Sequence, residues 1–254
     1  MTIPLFSCVV PVKGARPHMG DALESLYMQG MSDKIEIIVQ DADVAPDNGQ
    51  SDALNKGFAK ARGDWLFWLN ADDILLPRVL KRISECIKHM KGVEWIAGNQ
   101  LLIDDVGKVV GCSVGNGWHS WLYRHAVPHV YGPSSFFKRE LFERVGGCDV
   151  SLNYCMDWDL WIKFMQNEAK FFRINDYMWA QRQWGGSKTQ RVKSRCESEK
   201  QWEEIAHMLA KNGIESTLAG TMLVRIWRLL NGNIPRQLID ELRFCGKHYS
   251  EISA

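Results

Sequence analysis

Gly49–Pro77 reads GQSDALNKGFAKARGDWLFWLNADDILLP. It opens with helical spacing that runs to about Ala61 and breaks at Gly63, with Ser51 or Asp52 available as a cap. Trp65–Leu69 (WLFWL) is a short apolar run of the kind buried on both faces of a sheet. Asn70-Ala71-Asp72-Asp73 follow at its carboxyl end, and Pro77 suits the first turn of another helix. In open α/β sheets ligands sit beyond the carboxyl ends of the strands. Two carboxylates there supply hard oxygen ligands for Mg²⁺ or Mn²⁺ beside substrate phosphates. Taken as an isolated Asp-Asp pair, they read first as solvated turn residues that cap the next helix.

Upstream, Leu5–Val12 (LFSCVVPV) and Ile35–Val39 (IEIIV) read as buried strands. The helical pattern DALESLYMQ between them predicts a parallel pair with a right-handed crossover. Lys13 and Asp41 then stand near the same strand ends as Asp72. Downstream, Val79, Leu80, Ile83 and Ile87 mark a helix. Trp95–Ile103 and Lys108–Ser113 read as two strands around the turn Asp104-Asp105-Val106-Gly107. An irregular aromatic stretch, 115–133, precedes a strand at 134–138 and a short helix at 140–145 stopped by Gly146-Gly147. A helix with an acidic first turn is expected over 157–166, then strands at 170–174 and 177–183 and the loop GGSKTQ. From about Arg191 the chain reads as helices broken at Gly213, Gly232 and Pro235.

The 254 residues can bury a sizeable core, and an apolar fraction of 46% with 24% charged residues is ordinary for a globular protein. A net charge of +1 gives no case for a nucleic-acid partner. The seven cysteines are scattered without a C-x-x-C pair, which predicts reduced thiols and a cytosolic setting. The first residues enter a strand-like run at once, so no signal peptide is expected, and no apolar stretch approaches the ~18 residues of a membrane span.

GQSDALNKGFAKARGDWLFWLNADD resembles the core of the family-2 glycosyltransferases. That family's bacterial members carry a Gly-Gln-Ser-Asp-Ala helix, Asn-Lys-Gly, Gly-Asp and a strand ending in a D-x-D-like motif. The strand reaching Pro11, the segment PSSFFKRELFERVGGCD, the helix MDWDLWIKF and the loop GGSKT extend the resemblance over roughly residues 3–190. It implies a GT-A fold, a Rossmann-like mixed α/β sheet flanked by helices. Residues 1–190 would be catalytic, with 1–113 holding donor and metal and 114–190 supplying acceptor pocket and base. Residues 191–254 would be a helical extension.

By the same resemblance the protein is an inverting, metal-dependent glycosyltransferase. It would move a sugar from a nucleotide diphosphate, UDP first, to a hydroxyl of a glycan or lipid-linked glycan in cell-surface assembly. Asp157 would be the general base. Donor contacts fall on Pro11, Lys13, Asp41, Gln50, Asp52, Asn55, Asn70, Asp72, Arg182 and Lys188. Mn²⁺ or Mg²⁺ would sit on Asp72, assisted by Asp73. Asn70 stands where the family pattern has an acid, Lys13-Gly14 replace its aromatic-Asn pair, and Trp184 stands near a customary His.

Two other readings fit a sheet with metal-binding acids: a sugar-phosphate nucleotidyltransferase, and a non-catalytic binding module of the same fold. Asp159, two residues past Asp157, reads as a structural cap or partner. Lys188 and Thr189 are candidates to meet a diphosphate. Trp118, Trp121, Tyr123 and Tyr131 read either as a sugar platform or as core. His119, His125 and His129 lack a common metal-ligand spacing, and Ser51 and Ser134 lack the setting of a nucleophile. TMLVRIWRLL near the end reads as a basic amphipathic helix that rests on an anionic membrane surface, on the catalytic domain or on a second subunit.

Overall fold

The computed structural model describes residues 3–14, 16–117, 129–187, 195–214 and 217–252. The strands are β1 (Phe6–Val12), β2 (Ile35–Asp41), β3 (Trp65–Trp68), β4 (Ile74–Leu75), β5 (Trp95–Ile103), β6 (Val109–Ser113), β7 (Ser135–Lys138) and β8 (Phe171–Arg182). The helices are α1 (Met19–Tyr27), α2 (Gln50–Phe58), α3 (Val79–His89), α4 (Arg139–Arg144), α5 (Met156–Gln166), α6 (Arg195–Lys211), α7 (Leu218–Leu230) and α8 (Asn233–Phe244).

All eight strands join one mixed sheet in the order β2-β1-β3-β7-β5-β8-β4, with β6 attached to β5. β1 pairs in parallel with β2, as the strand–helix–strand order predicts, and on its other edge in parallel with β3. The direction then reverses, because β7 is antiparallel to both β3 and β5. β5 is long enough to serve two partners on one edge: Trp95–Ala97 pair with β7 and Gln100–Ile103 with β6.

The apolar runs are continuous rather than alternating because both faces of the sheet are covered. Phe6, Cys8, Val10 and Phe67 enter one core, with Leu26 of α1 and Val79, Leu80 and Ile83 of α3. Val9, Leu66 and Trp68 enter the other, with Leu54 of α2 and Leu160 and Phe164 of α5. Part of the high tryptophan content is explained here. Trp161 lies between Trp68 and Trp95, stacked at centroid distances of 5.8 and 4.9 Å.

Several expectations are corrected. The two strands expected over 170–183 are one strand, β8, whose register against β5 shifts around Asn99 and so absorbs the polar Asn175-Asp176. β4 is too short to leave a periodic signal, and it pairs antiparallel with Ala180 and Trp179. Neither Ser51 nor Asp52 is the N-cap of α2. Gly49 is, at φ 120°, while Ser51 Oγ donates to Leu152 O at 2.7 Å. Pro235 is not a break but sits in the first turn of α8, where its missing N–H costs nothing.

The helices past 191 pack on the rest of the chain. Ile205, Met208 and Leu209 of α6 are buried in the second core. Arg228 donates to Val114 O, Asn233 to Gly115 O, and Tyr177 Oη donates to Asp240. Among the described residues six cysteines are free thiols, and no helix is long and apolar enough to cross a membrane.

Candidate functional site

A cleft of about 1320 Å³ opens beyond the carboxyl ends of β1 and β3. That exceeds the ~300–1,000 Å³ usual for a single small ligand. Its wall includes Pro11 and Lys13 after β1, Gly49 and Gln50 at the start of α2, Asn70–Asp73 after β3, and Met156–Trp158 at the start of α5. Two helix N-termini therefore face it, which favours negative charge in the cleft.

The four residues after β3 divide sharply. Asn70 is a relay: its Oδ1 accepts from Gln50 Nε2 at 2.9 Å and its Nδ2 donates to Asp73 Oδ2 at 2.7 Å. Asp72 is half-buried, and its Oδ2 accepts from Trp184 Nε1 at 2.8 Å. Asp73 is only 1% exposed. Its Oδ1 accepts the Arg182 N–H at 2.9 Å. Burial, with the Asp72 charge second, pushes its carboxyl well above the usual carboxylate range. Asp73, expected to assist Asp72 with the metal, directs its oxygens to the chain itself in this structure.

Asp157 occupies the first turn of α5, and its Oδ1 accepts the Trp158 N–H at 3.0 Å. Gly132 passes close beside it. A Cβ there would lie 2.6 Å from the Trp68 ring and 3.4 Å from Asp157 Oδ2, so only glycine lets this backbone approach. Asp159, one side of the helix away, is fully buried. It pairs with Lys163 at 2.8 Å and accepts from Asn212 Nδ2, as a structural partner should.

Three further candidates, Asp52, Asn55 and Arg182, are bound within the chain. Asp52 accepts from Asn48 N–H and Lys56, and these two hold its carboxyl below the usual range. Asn55 exchanges two hydrogen bonds with the Cys148 backbone, each at 2.9 Å. Arg182 lines the cleft, and its guanidinium donates to Asp72 O, Asp105 O and Asp21, strapping β8 to the loops around it. Asp41 is held by Arg16, with N–O distances of 2.8 and 2.7 Å, and it is Arg16 that lines the cleft. Lys13 is exposed at the cleft. Lys188, Thr189, Trp118, Trp121, Tyr123, His119 and His125 lie outside the described residues.

The sequence did not single out Arg16, Gly132 or Glu204. Glu204 on α6 accepts the backbone N–H groups of Asn153, Tyr154 and Cys155, the three residues that lead into α5. It therefore fixes the entry to Asp157 from outside the expected catalytic region. A lone glutamate in a helical pattern carries no sign of this.

Residues 43–97 match the family model described as "Glycosyl transferase family 2". An uncharacterized glycosyltransferase of Rickettsia prowazekii is 24% identical over 195 residues, 66% of this chain. The match spans 61% of that relative, so this chain accounts for about three fifths of its length. Among solved structures, TarS of S. aureus (residues 1–349, in complex with UDP-GlcNAc) superposes with a TM-score of 0.64 at 14% identity. It covers 84% of this chain and 67% of that one. A mannosyltransferase from Pyrobaculum calidifontis in complex with GDP-Man and Mn²⁺ gives a TM-score of 0.52 at 15% identity, covering 94% and 87%. The mixed sheet flanked by helices is the GT-A fold of these glycosyltransferases.

Proposed function

We propose that the chain is a family-2 glycosyltransferase, as the match of residues 43–97 to that family's model supports, and that it transfers a sugar from a nucleotide-diphosphate donor to a hydroxyl acceptor with inversion. The observation that carries this reading is that Asp72 and Asp157, from separate elements, line one cleft at the carboxyl ends of parallel strands. The cleft's size suits a donor together with an acceptor.

In this reading the acceptor oxygen forms its bond to the anomeric carbon as the bond to the diphosphate breaks. Asp157 takes the acceptor's proton, which a carboxylate at a helix N-terminus can do because its ionised form is favoured there. The nucleoside diphosphate leaves as an anion beside Lys13 and the first turn of α2. One base is enough, because a single displacement needs no second carboxylate as a nucleophile of the kind that retaining chemistry uses.

The donor set also fits a divalent cation of modest demand. Asp72 offers a cleft-facing carboxylate, whereas Asn70 and Asp73 are bound to each other. Among the described residues no group of three acids, histidines or cysteines gathers into a protein-only metal site. A cation that keeps waters and shares the donor's phosphate oxygens needs no more than one or two carboxylates. Bound on Asp72, it would neutralise charge on the leaving diphosphate.

The test pairs two variants in a nucleotide-sugar screen with and without Mn²⁺, starting from UDP-sugars. Asp72→Ala should weaken Mn²⁺-dependent stabilisation by the donor. Asp157→Asn should keep that stabilisation and lose transfer by about 10²–10⁴-fold. Unchanged turnover in Asp157→Asn overturns the reading. Pyrophosphate release from a nucleoside triphosphate and a sugar phosphate would replace it with a nucleotidyltransferase.

A further inference from the structure

α7 is folded inside out. Its buried positions are Gly220, Val224 and Arg228. Its exposed large side chains are Leu218, Met222, Leu223, Ile226, Leu229 and Leu230, with Leu218 and Leu230 about four-fifths exposed at 79% and 80%. α8 repeats the inversion. It buries Asn233 and Asp240 and exposes Leu238, Ile239 and Leu242, the last at 89%.

The inward polar groups explain how such helices stay attached. Arg228 donates to Val114 O at 3.0 Å, and Asn233 donates to Gly115 O and Asn116. Asp240 accepts from Tyr177 and from Arg236. These bonds fix the helices on the sheet through polar groups. The apolar surface they would ordinarily bury is left facing outward, and large apolar side chains exposed in such number on two successive helices mark an interaction surface.

Charge decides what fits it. Between 217 and 247 the cationic residues are Arg225, Arg228, Arg236, Arg243 and Lys247, and the carboxylates are Asp240 and Glu241. Both carboxylates are used inward, Glu241 by Gln237 and the Cys112 N–H. Arg225, Arg243 and Lys247 are exposed around the leucines. A second copy of this face would bring the same cations together with no outward carboxylate to pair them. An anionic lipid surface supplies both what the leucines and what the arginines lack.

We propose that α7 and α8 form a docking face for an anionic membrane surface, lying in the headgroup layer with the leucines directed into the lipid. The helices do not cross the bilayer, since neither reaches the ~20 residues that spanning requires. The proposal is independent of which sugar the cleft transfers.

The experiment is co-sedimentation of the full chain with vesicles of phosphatidylcholine alone or mixed with phosphatidylglycerol, at low and high salt. Wild type should pellet with the anionic vesicles, and salt should weaken the binding. Leu223→Gln/Ile226→Gln/Leu230→Gln should reduce the partition by at least about 100-fold, because three lipid-buried side chains are lost. Arg225→Gln and Arg243→Gln should each reduce it about fivefold. All these positions are exposed, so the thermal melt should stay in place. The arginine variants carry the test should the triple variant fail to fold. Absence of anionic-vesicle binding overturns the proposal, as does equal binding by the variants. A wild-type dimer in light scattering that the triple variant dissolves overturns it in favour of a second copy.

Discussion

Two regions of this protein each carry a pair of near-adjacent aspartates, and the pairs resolve differently. In the loop after β3, Asp72 faces the cleft and Asp73 turns inward. In the first turn of α5, Asp157 faces the cleft and Asp159 turns inward. The buried members differ in what compensates them. Asp159 has Lys163 at 2.8 Å and Lys211 at 4.0 Å. Asp73 has neutral donors, the Arg182 N–H and Asn70, and the Asp72 charge beside it. A helix holds cations at i+4 ready for a buried acid, whereas a loop at a strand end has backbone N–H groups to offer. One buried acid is therefore an ion-pair anchor and the other a hydrogen-bond hub.

The largest effect expected from this contrast is on stability at Asp159. Asp159→Ala leaves Lys163 and Lys211 without their buried partner. Breaking a buried pair costs about 3–5 kcal/mol, and the lower end applies because the Lys163 side chain is 21% exposed. For a domain of this size, about 3 kcal/mol lowers Tm by roughly 6–12 °C. A melt shifted by less than about 2 °C would mean that Asp159 is not the anchor its geometry describes. The Asp157 variant, two residues away, should leave the melt in place and remove transfer.

Glu204→Gln comes next, because it acts on the α5 region alone. Its carboxylate accepts three successive N–H groups ahead of Asp157. Bonds to a charged acceptor are worth about 1.5–3 kcal/mol each. Gln keeps one acceptor oxygen, so the expected loss is about 2 kcal/mol in thermal stability. In the proposed reaction kcat should fall while donor affinity is held, because α5 and not the β3 loop is displaced. A matching loss of donor binding would show that the two acidic regions are mechanically one.

The contrast also shows what was legible in the sequence. Asp72 and Asp157 could be found because each lies in a local pattern, a strand end or a helix start, that fixes its neighbourhood. The parallel β1–β2 pairing followed from two apolar runs with a helical pattern between them. Other partners were not readable because they are remote in the chain: Asn55 meets Cys148, 93 residues on, and Arg182 meets Asp21, 161 residues back. Periodicity gives a side chain's face but not which distant backbone waits there. β4 has two residues and no period at all. In α7 the amphipathic pattern was readable but the surface it rests on was left open, and the inward contact of Arg228 with Val114 O was not foreseen.

The smallest and most specific prediction concerns Asp73. Its folded-state pKa lies above its unfolded value, from burial first and the Asp72 charge second. Between those two values the native state holds a proton that the unfolded chain has released. Stability therefore falls as pH rises through that interval and is greatest below it. Asp73→Asn keeps an oxygen for the Arg182 N–H and has no proton to lose, so this slope should vanish while stability at low pH changes little. The measurement is urea unfolding across pH in EDTA, so that no cation on Asp72 offsets the charge that helps raise Asp73. Asp159→Asn serves as the contrast: loss of its pairing with Lys163 should lower stability without erasing the slope. If the Asp73→Asn slope equals that of wild type, the β3 loop tolerates an ionised buried acid, and the distinction between hub and anchor collapses.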